Sequence, residues 1–115
     1  MRAFVLVLGI FLTVASAHAE TISACDAAKY VDKLVTVEGT VSGVNHAASG
    51  KMIFVDMCGR YPNNALGVPI LSDDAAKFPD IDSLGGKIID VTGVIKLYQG
   101  RPEIILNDPA QLKVK

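Results

Sequence analysis

Aromatic and charged side chains fall in two short segments that could meet a ligand, residues 54–61 and 98–101. They are Phe54, Asp56, Arg60, Tyr61, Tyr98 and Arg101. Aromatic rings stack on planar groups such as nucleobases, and nearby cations contact phosphates, which is how proteins hold single-stranded nucleic acid. These six residues are therefore the candidate ligand-binding residues.

The same six residues also have a purely structural interpretation. The tyrosines would close hairpin ends, Phe54 would lie in the core, and the two arginines would pair with Asp56 and Glu103. The charge of the chain favours this alternative, because its cations are scattered singly rather than gathered into a basic patch. The sequence leaves both interpretations open.

Residues for catalysis or for metal binding do not form a recognisable set. His46 is the only histidine beyond residue 19, and one histidine does not make a typical transition-metal site. It also has no partners that would complete a Ser-His-Asp arrangement. Asp80 and Asp82 lack the remaining ligands of a calcium loop, and no glycine-rich phosphate loop is present. We predict no enzymatic activity, no catalytic residues, no metal and no cofactor.

The first 19 residues have the pattern of a signal peptide. Arg2 precedes an apolar run, Ala3–Ala15, and Ala17 and Ala19 supply the small residues at a signal peptidase site. The run is shorter than the roughly 20 residues that a spanning helix needs, so an uncleaved anchor is the less favoured alternative. We predict cleavage between Ala19 and Glu20, a periplasmic or secreted protein, and no membrane span after processing.

The remaining segment, residues 20–115, has the length of one domain. Removal of the leader takes away only Arg2 among the 11 Lys and Arg and none of the 12 Asp and Glu, which gives a net charge of −2. Dedicated binders of duplex nucleic acid are usually strongly basic. The balance of charge therefore argues against strong phosphate binding, although a local basic groove remains compatible with it.

The exported segment contains two cysteines, Cys25 and Cys58. An even number of cysteines in an oxidising compartment favours one disulfide, which would close a loop of 33 residues and contribute about 3–4 kcal/mol. Two buried free thiols are the alternative. A catalytic dithiol is not expected, because there is no Cys-x-x-Cys motif.

Five strands and two short helices are predicted from the alternation of apolar residues and from turn and cap residues. In order, they are a short helix Thr21–Lys33 with Ser23 as its cap, strands Leu34–Val44, Lys51–Cys58 and Leu66–Leu71, a helix Ser72–Phe78, and strands Lys87–Lys96 and Glu103–Leu106. A helix between the third and fourth strands is the arrangement of the five-stranded OB (oligonucleotide/oligosaccharide-binding) barrel. We predict this mainly β fold, with another small barrel or a split sandwich as the alternative.

Four segments resemble bacterial exported single-domain OB-fold proteins that are described as nucleic acid-binding. They are AAKYVDKLVTVEGTV, FVDMCGRYPNN, GKIIDVTGVI and YQGRPEIILNDPAQL. The resemblance implies a ligand face on the second and third predicted strands, flanked by two loops. Carried over by position, this face comprises Asn45–Lys51, Phe54–Tyr61 and Tyr98–Arg101.

Two functional hypotheses follow for the segment after the leader. The first is a monomeric exported binding module that holds single-stranded nucleic acid across the predicted ligand face. The second is an envelope module that binds a protein, a peptide or a small ligand through the same face and has no affinity for nucleic acid. Export and the negative charge favour the second hypothesis, whereas the resemblance favours the first.

Overall fold

The computed structural model describes residues 19–115, so the predicted signal peptide lies outside the described residues except for Ala19. The strands are β1 (Glu20–Ser23), β2 (Leu34–His46), β3 (Met52–Met57), β4 (Leu66–Leu71), β5 (Ile88–Val94), β6 (Lys96–Tyr98), β7 (Arg101–Glu103) and β8 (Leu112–Val114). One α-helix, α1 (Ser72–Ala75), and three 3₁₀ helices, Ala24–Tyr30, Ile81–Leu84 and Pro109–Gln111, connect them. In residues 19–115, no helix combines the length and the apolar character needed to cross a membrane.

Eight strands form one mainly antiparallel sheet in the order β6-β7-β4-β3-β2-β5-β8, with β1 paired to β2. The long strand β2 is shared: its first part pairs with β5 and its last part pairs with β3. The register shifts between Val41 and Gly43, where β2 passes from one partner to the other. Only Ile95 separates β5 from β6, although these strands lie toward opposite ends of the sheet order, so the sheet coils round without closing into a barrel.

Alternation along β3 and β4 separates an inner face from an outer face. Ile53, Val55 and Met57 of β3 are buried, and so are Leu66, Val68 and Ile70 of β4. The rest of the core comes mainly from β2, β5, the 3₁₀ helices and the segment after β7. These buried residues include Val35, Val37, Val41, Phe78, Ile81, Leu84, Ile89, Val91, Ile95, Ile104 and Leu106. The outer face of β3 and β4 is left to other side chains, which form the candidate site.

Two glycines allow close packing against the sheet. A Cβ on Gly39 of β2 would lie 2.9 Å from the Cβ of Ala24, and a Cβ on Gly93 of β5 would lie 2.6 Å from Cγ2 of Ile104. Both distances are shorter than a carbon contact permits. Glycine is therefore required where the first 3₁₀ helix crosses β2 and where the segment after β7 crosses β5.

The mainly β class is confirmed, whereas the five-stranded barrel is not. The strand predicted at Lys87–Lys96 is divided at Ile95, which forms an isolated bridge to Val31. The strand predicted at Glu103–Leu106 ends as a regular strand at Glu103. Beyond it, the amides of Ile104 and Leu106 donate single hydrogen bonds to the carbonyls of Gly67 and Pro69. These irregular stretches leave the ladder open. Although proline in a sheet is usually confined to edge strands and bulges, β4, which contains Pro69, has neighbours on both sides.

The two predicted helices are shorter than expected. Residues 20–23 form β1, because Ile22 pairs with Val37 and is buried, and the helix is a 3₁₀ helix that begins at Ala24. Ser23 caps it as predicted, accepting a hydrogen bond of 3.2 Å from the Cys25 amide. The helix after β4 ends at Ala75, and its N-cap residue is Leu71 rather than Ser72.

Candidate functional site

The chain turns sharply after β3 and folds back beside its outer face. Cys58 and Gly59 have φ values of 56° and 101°, in the left-handed region. A Cβ on Gly59 would lie 2.9 Å from the carbonyl oxygen of Asn63, so glycine is needed at this position for two reasons. The turn is closed by a 3.0 Å hydrogen bond from the Ala65 amide to the Cys58 carbonyl. We call residues 58–65 the site turn.

The site turn is covalently anchored at its first residue. Cys58 forms a disulfide with Cys25, and the two Cα atoms are 5.4 Å apart. Cys25 belongs to the 3₁₀ helix that packs on β2 through Ala24 and Gly39. The predicted disulfide is therefore confirmed, and it joins this packed helix to the turn that carries Arg60 and Tyr61.

The buried carboxylate of Asp56 accepts hydrogen bonds that position residues around the outer face of β3 and β4. Its side chain is 2 % exposed, the only buried polar or charged residue in the described part of the chain. One carboxylate oxygen, Oδ2, accepts hydrogen bonds from Asn45 Nδ2 at 3.0 Å and from the Tyr61 amide at 3.4 Å, and Oδ1 accepts from Asn64 Nδ2 at 3.4 Å. Burial raises the pKa of Asp56 above its usual value, while the hydrogen bonds from Tyr61 and Asn45 and the charges of Arg101 and Arg60 act in the opposite direction.

Asn64 links this carboxylate to Arg101. While its Nδ2 donates to Asp56 and to the Leu66 carbonyl, its Oδ1 accepts a 2.7 Å hydrogen bond from Arg101 Nη2. The guanidinium carbon of Arg101 then lies 4.7 Å from the centroid of the Tyr61 ring, within cation–π distance. The Asp56 carboxylate therefore fixes the position of Tyr61 by accepting from the Tyr61 backbone amide. It fixes the position of Arg101 indirectly, through Asn64.

Tyr98 and Arg101 are brought to the same place by a tight hairpin. Gln99 and Gly100, the two residues between β6 and β7, both have positive φ values, 51° and 79°. Two such residues form the turn that matches the twist of paired strands. Tyr98 and Arg101 are consequently cross-strand partners at the hairpin end, and Tyr98 is 60 % exposed.

Three adjoining clefts run along the outer face, and Phe54 lines all of them. The largest, of about 370 Å³, is lined by Asn45, His46, Ala47, Phe54, Asp56 and Tyr61. The second, of about 300 Å³, is lined by Met52, Phe54, Pro69, Leu71, Tyr98, Glu103 and Ile105. A small cleft of about 40 Å³ joins them beside Asn64, Gly67 and Arg101. We call the three together the outer groove, and the second the Tyr98 cleft.

Glu103 lies where the small cleft meets the Tyr98 cleft. It is half-buried and pairs with Gly67, and a Cβ on Gly67 would lie 3.7 Å from Glu103 Oε2. No residue in 19–115 forms a hydrogen bond or an ion pair with its carboxylate in this structure. Burial raises the pKa of Glu103, and the positive charge of Arg101 partly opposes that rise. The carboxylate is thus a partly buried acceptor that faces the groove.

Five of the six candidate residues line the outer groove, namely Phe54, Asp56, Tyr61, Tyr98 and Arg101. Arg60 does not line it, because its Nε donates to the Ser42 carbonyl at 3.2 Å. The ion pairs of the structural interpretation are absent within residues 19–115, and Phe54 is half-buried rather than part of the core. Asn64 and Glu103 also belong to the site but are not candidates from the sequence, although the Asn63-Asn64 pair indicates a turn in which Asn64 can form side-chain hydrogen bonds.

Other polar groups in the described residues give less reason to expect a site. His46 Nε2 and Asp82 Oδ1 are 2.6 Å apart, but both side chains are exposed. A cleft of about 250 Å³ beside Phe78 and Leu112 is mainly apolar, and the amine of Lys77 at its rim is bonded to Asp74 and to the Asn107 carbonyl. Within residues 19–115, no three His, Cys, Asp or Glu side chains are placed to hold a metal ion.

No protein-family model and no curated protein sequence matches this chain. Solved structures, in contrast, are similar to it in fold. An OBody bound to hen egg-white lysozyme is 15 % identical with a TM-score of 0.62, and the match covers 88 % of this chain and 98 % of that chain. The aspartyl-tRNA synthetase of Entamoeba histolytica is 16 % identical with a TM-score of 0.57, covering 99 % of this chain and 28 % of that one.

A structure described as an aspartyl-tRNA synthetase from Leishmania major Friedlin is also 16 % identical, with a TM-score of 0.56 and coverage of 93 % of this chain and 22 % of that one. This chain therefore spans about a quarter of the length of the synthetases that it matches. At these identities the similarity shows the fold alone, which is an OB-like β fold.

Proposed function

We propose that this protein is an exported binding module that holds single-stranded nucleic acid in the outer groove. The observation that carries the proposal is the line of aromatic rings along the groove, formed by Phe54, Tyr61 and Tyr98. Successive bases stack on such rings with little regard to sequence. Arg101 lies among them, with its guanidinium over the Tyr61 ring.

Two further observations support this ligand. The groove follows the face of β3 and β4, which is the face that the resemblance to OB-fold proteins implies. Two of the similar structures are aspartyl-tRNA synthetases, enzymes whose name identifies an RNA as a molecule that they act on. The same proposal takes residues 20–115 as one domain that acts as a monomer, without a cofactor and without enzymatic activity.

We expect saturable binding of labelled single-stranded DNA or RNA that weakens steeply as salt increases. Each phosphate contact contributes about 0.7 to the slope of log affinity against log salt. Substitution of Arg60 and Arg101 together by alanine should abolish binding, and most of the loss should come from Arg101→Ala, because Arg60 lies outside the groove. Fluorescence anisotropy at low and at physiological salt measures both effects.

A matched control removes the same amount of charge elsewhere. Lys33→Ala with Lys113→Ala takes away two exposed cations that line none of the three clefts. This variant should bind nearly as the unsubstituted protein does. If it loses affinity as much as the arginine variant, general charge rather than the groove controls binding, and the proposed site is wrong.

A protein, peptide or small ligand is the second candidate, and the Tyr98 cleft favours it. Leu71, Tyr98 and Ile105 expose 45 %, 60 % and 52 % of their surface around this cleft. Exposed apolar patches commonly mark interaction sites. One of the similar structures, the OBody, is bound to a protein, lysozyme. Binding that persists at high salt, with no affinity for oligonucleotides at low salt, would favour this candidate.

The proposal of export rests on the leader sequence and agrees with the disulfide, since disulfides persist in oxidising compartments. We expect the chain expressed with its own leader to be recovered beginning at Glu20, as measured by intact mass. Ala19→Tyr places a large residue where signal peptidase needs a small one, so this variant should retain the leader. Recovery of the uncleaved chain in both cases would contradict the predicted processing.

A further inference from the structure

The Tyr98 cleft combines apolar walls with one polar group. Phe54, Tyr98, Leu71 and Ile105 contribute apolar surface, and Glu103 contributes a carboxylate. Its volume of about 300 Å³ is at the lower end of the range for small-molecule pockets, which suits one planar ring system better than a large ligand.

The Glu103 carboxylate in this cleft can accept hydrogen bonds that residues 19–115 do not supply. Arg101 donates to Asn64 Oδ1 and lies over the Tyr61 ring, and Lys96, the cross-strand partner of Glu103, donates to Asp32, so both cations are already engaged. Gly67, the strand partner of Glu103, has no side chain and leaves the carboxylate open on that side. An ionised carboxylate only accepts hydrogen bonds, and its two oxygens can receive a pair of parallel donors. A ligand that presents two adjacent N–H donors would satisfy it.

Among the bases of nucleic acids, the pairing edge of guanine alone presents two adjacent donors, N1–H and the N2 amino group. Adenine and cytosine each place one donor beside an acceptor, and thymine and uracil have a single donor between two acceptors. An acceptor next to a carboxylate is repelled. Resting on the function proposed above, we infer that the Tyr98 cleft is a guanine subsite, in which Glu103 accepts N1–H and N2–H from a base that packs between Phe54 and Tyr98.

The inference predicts a preference that one substitution removes. The full chain, expressed with its own leader and kept oxidised, is titrated into a labelled oligothymidylate and into the same strand with one central guanine. We expect about tenfold tighter binding of the guanine strand, the scale of discrimination by one bidentate pair. A strand with inosine, which lacks the N2 amino group, should fall between the two. Glu103→Gln should bind all three strands alike, because its amide offers only one acceptor oxygen and its NH₂ group opposes the second donor of guanine.

A control variant separates recognition from charge. Asp26→Asn removes one negative charge from an exposed side chain of the first 3₁₀ helix, so it should keep the guanine preference. Near-native affinity of Glu103→Gln for oligothymidylate would show that this variant is folded. Equal affinity of the unsubstituted protein for all strands overturns the guanine subsite and leaves the proposed function in place. A guanine preference that survives in Glu103→Gln also overturns it. If no strand binds at low salt, both proposals fail.

Discussion

Replacement of both cysteines, Cys25→Ala with Cys58→Ala, is expected to lower the free energy of unfolding by about 3–4 kcal/mol. The disulfide closes a loop of 33 residues, and removing it returns that loop's freedom to the unfolded chain. Such a loss is large beside the total stability of a small domain. Urea unfolding of the oxidised protein and of the variant measures the difference.

The same variant tests the anchoring of the site. Cys58 begins the site turn with a left-handed backbone, so loss of the disulfide should also loosen Tyr61 and weaken ligand binding more than stability alone explains. Reduction of the unsubstituted protein with dithiothreitol is the matched comparison, and it should reproduce the loss of stability. Unchanged urea midpoints in both experiments would show that the disulfide contributes little.

Asp56→Ala is expected to lower the free energy of unfolding by about 2–3 kcal/mol and to impair binding. The substitution removes the acceptor of the Asn45 amide and of the Tyr61 backbone amide, and a hydrogen bond to a charged group contributes about 1.5–3 kcal/mol. Relief from burying a charge offsets part of this cost. Urea unfolding measures the stability, and anisotropy at conditions where the variant is folded measures binding.

The pH dependence of stability provides an independent readout for Asp56. Because burial raises the pKa of Asp56 above 3.8, the folded state retains this proton to a higher pH than the unfolded chain does. Its contribution to stability therefore falls as pH rises from 3.8 through the raised value. Asp56→Ala should remove that fall, whereas Asp26→Ala, at an exposed position, should preserve it and change stability by less than about 0.5 kcal/mol. Identical profiles for all three proteins would contradict the assignment.

The sequence predicts best the short strands that turn residues bound on both sides. The bounds of β4 are as predicted, and those of β3 differ by one residue at each end, because short runs of mainly apolar residues between turn segments define both strands. The prediction fails where pairing depends on distant contacts. Ile22 lies in a strand because β1 pairs with β2, where its partner is Val37. Leu112–Val114 likewise forms β8 because it pairs with β5.

For the candidate site, residue type identified most of the side chains but not their connections. Phe54, Tyr61 and Arg101 are identifiable from sequence because aromatic and guanidinium groups commonly bind ligands. The hydrogen bonds from Asn64 to both Asp56 and Arg101 depend on the site turn folding back beside β3, which no local pattern specifies. Arg60 has the same guanidinium group as Arg101 and is an equally good candidate from sequence. In the structure it follows the left-handed backbone at Gly59 and donates to the Ser42 carbonyl instead of lining the groove.

Because side chains alternate between the two faces of β3 and β4, neighbouring residues have different roles. One stabilises the fold, and the next contacts the ligand. Val55 and Val68 face inward and are fully enclosed, while Phe54 and Pro69 beside them face the groove. Apart from Asp56, whose hydrogen bonds also stabilise the fold, a substitution at an outward position changes what a ligand contacts and leaves the interior packing intact. Substitutions at these outward positions can therefore change ligand preference, in evolution or by mutagenesis. The buried residues that stabilise the fold need not change with them.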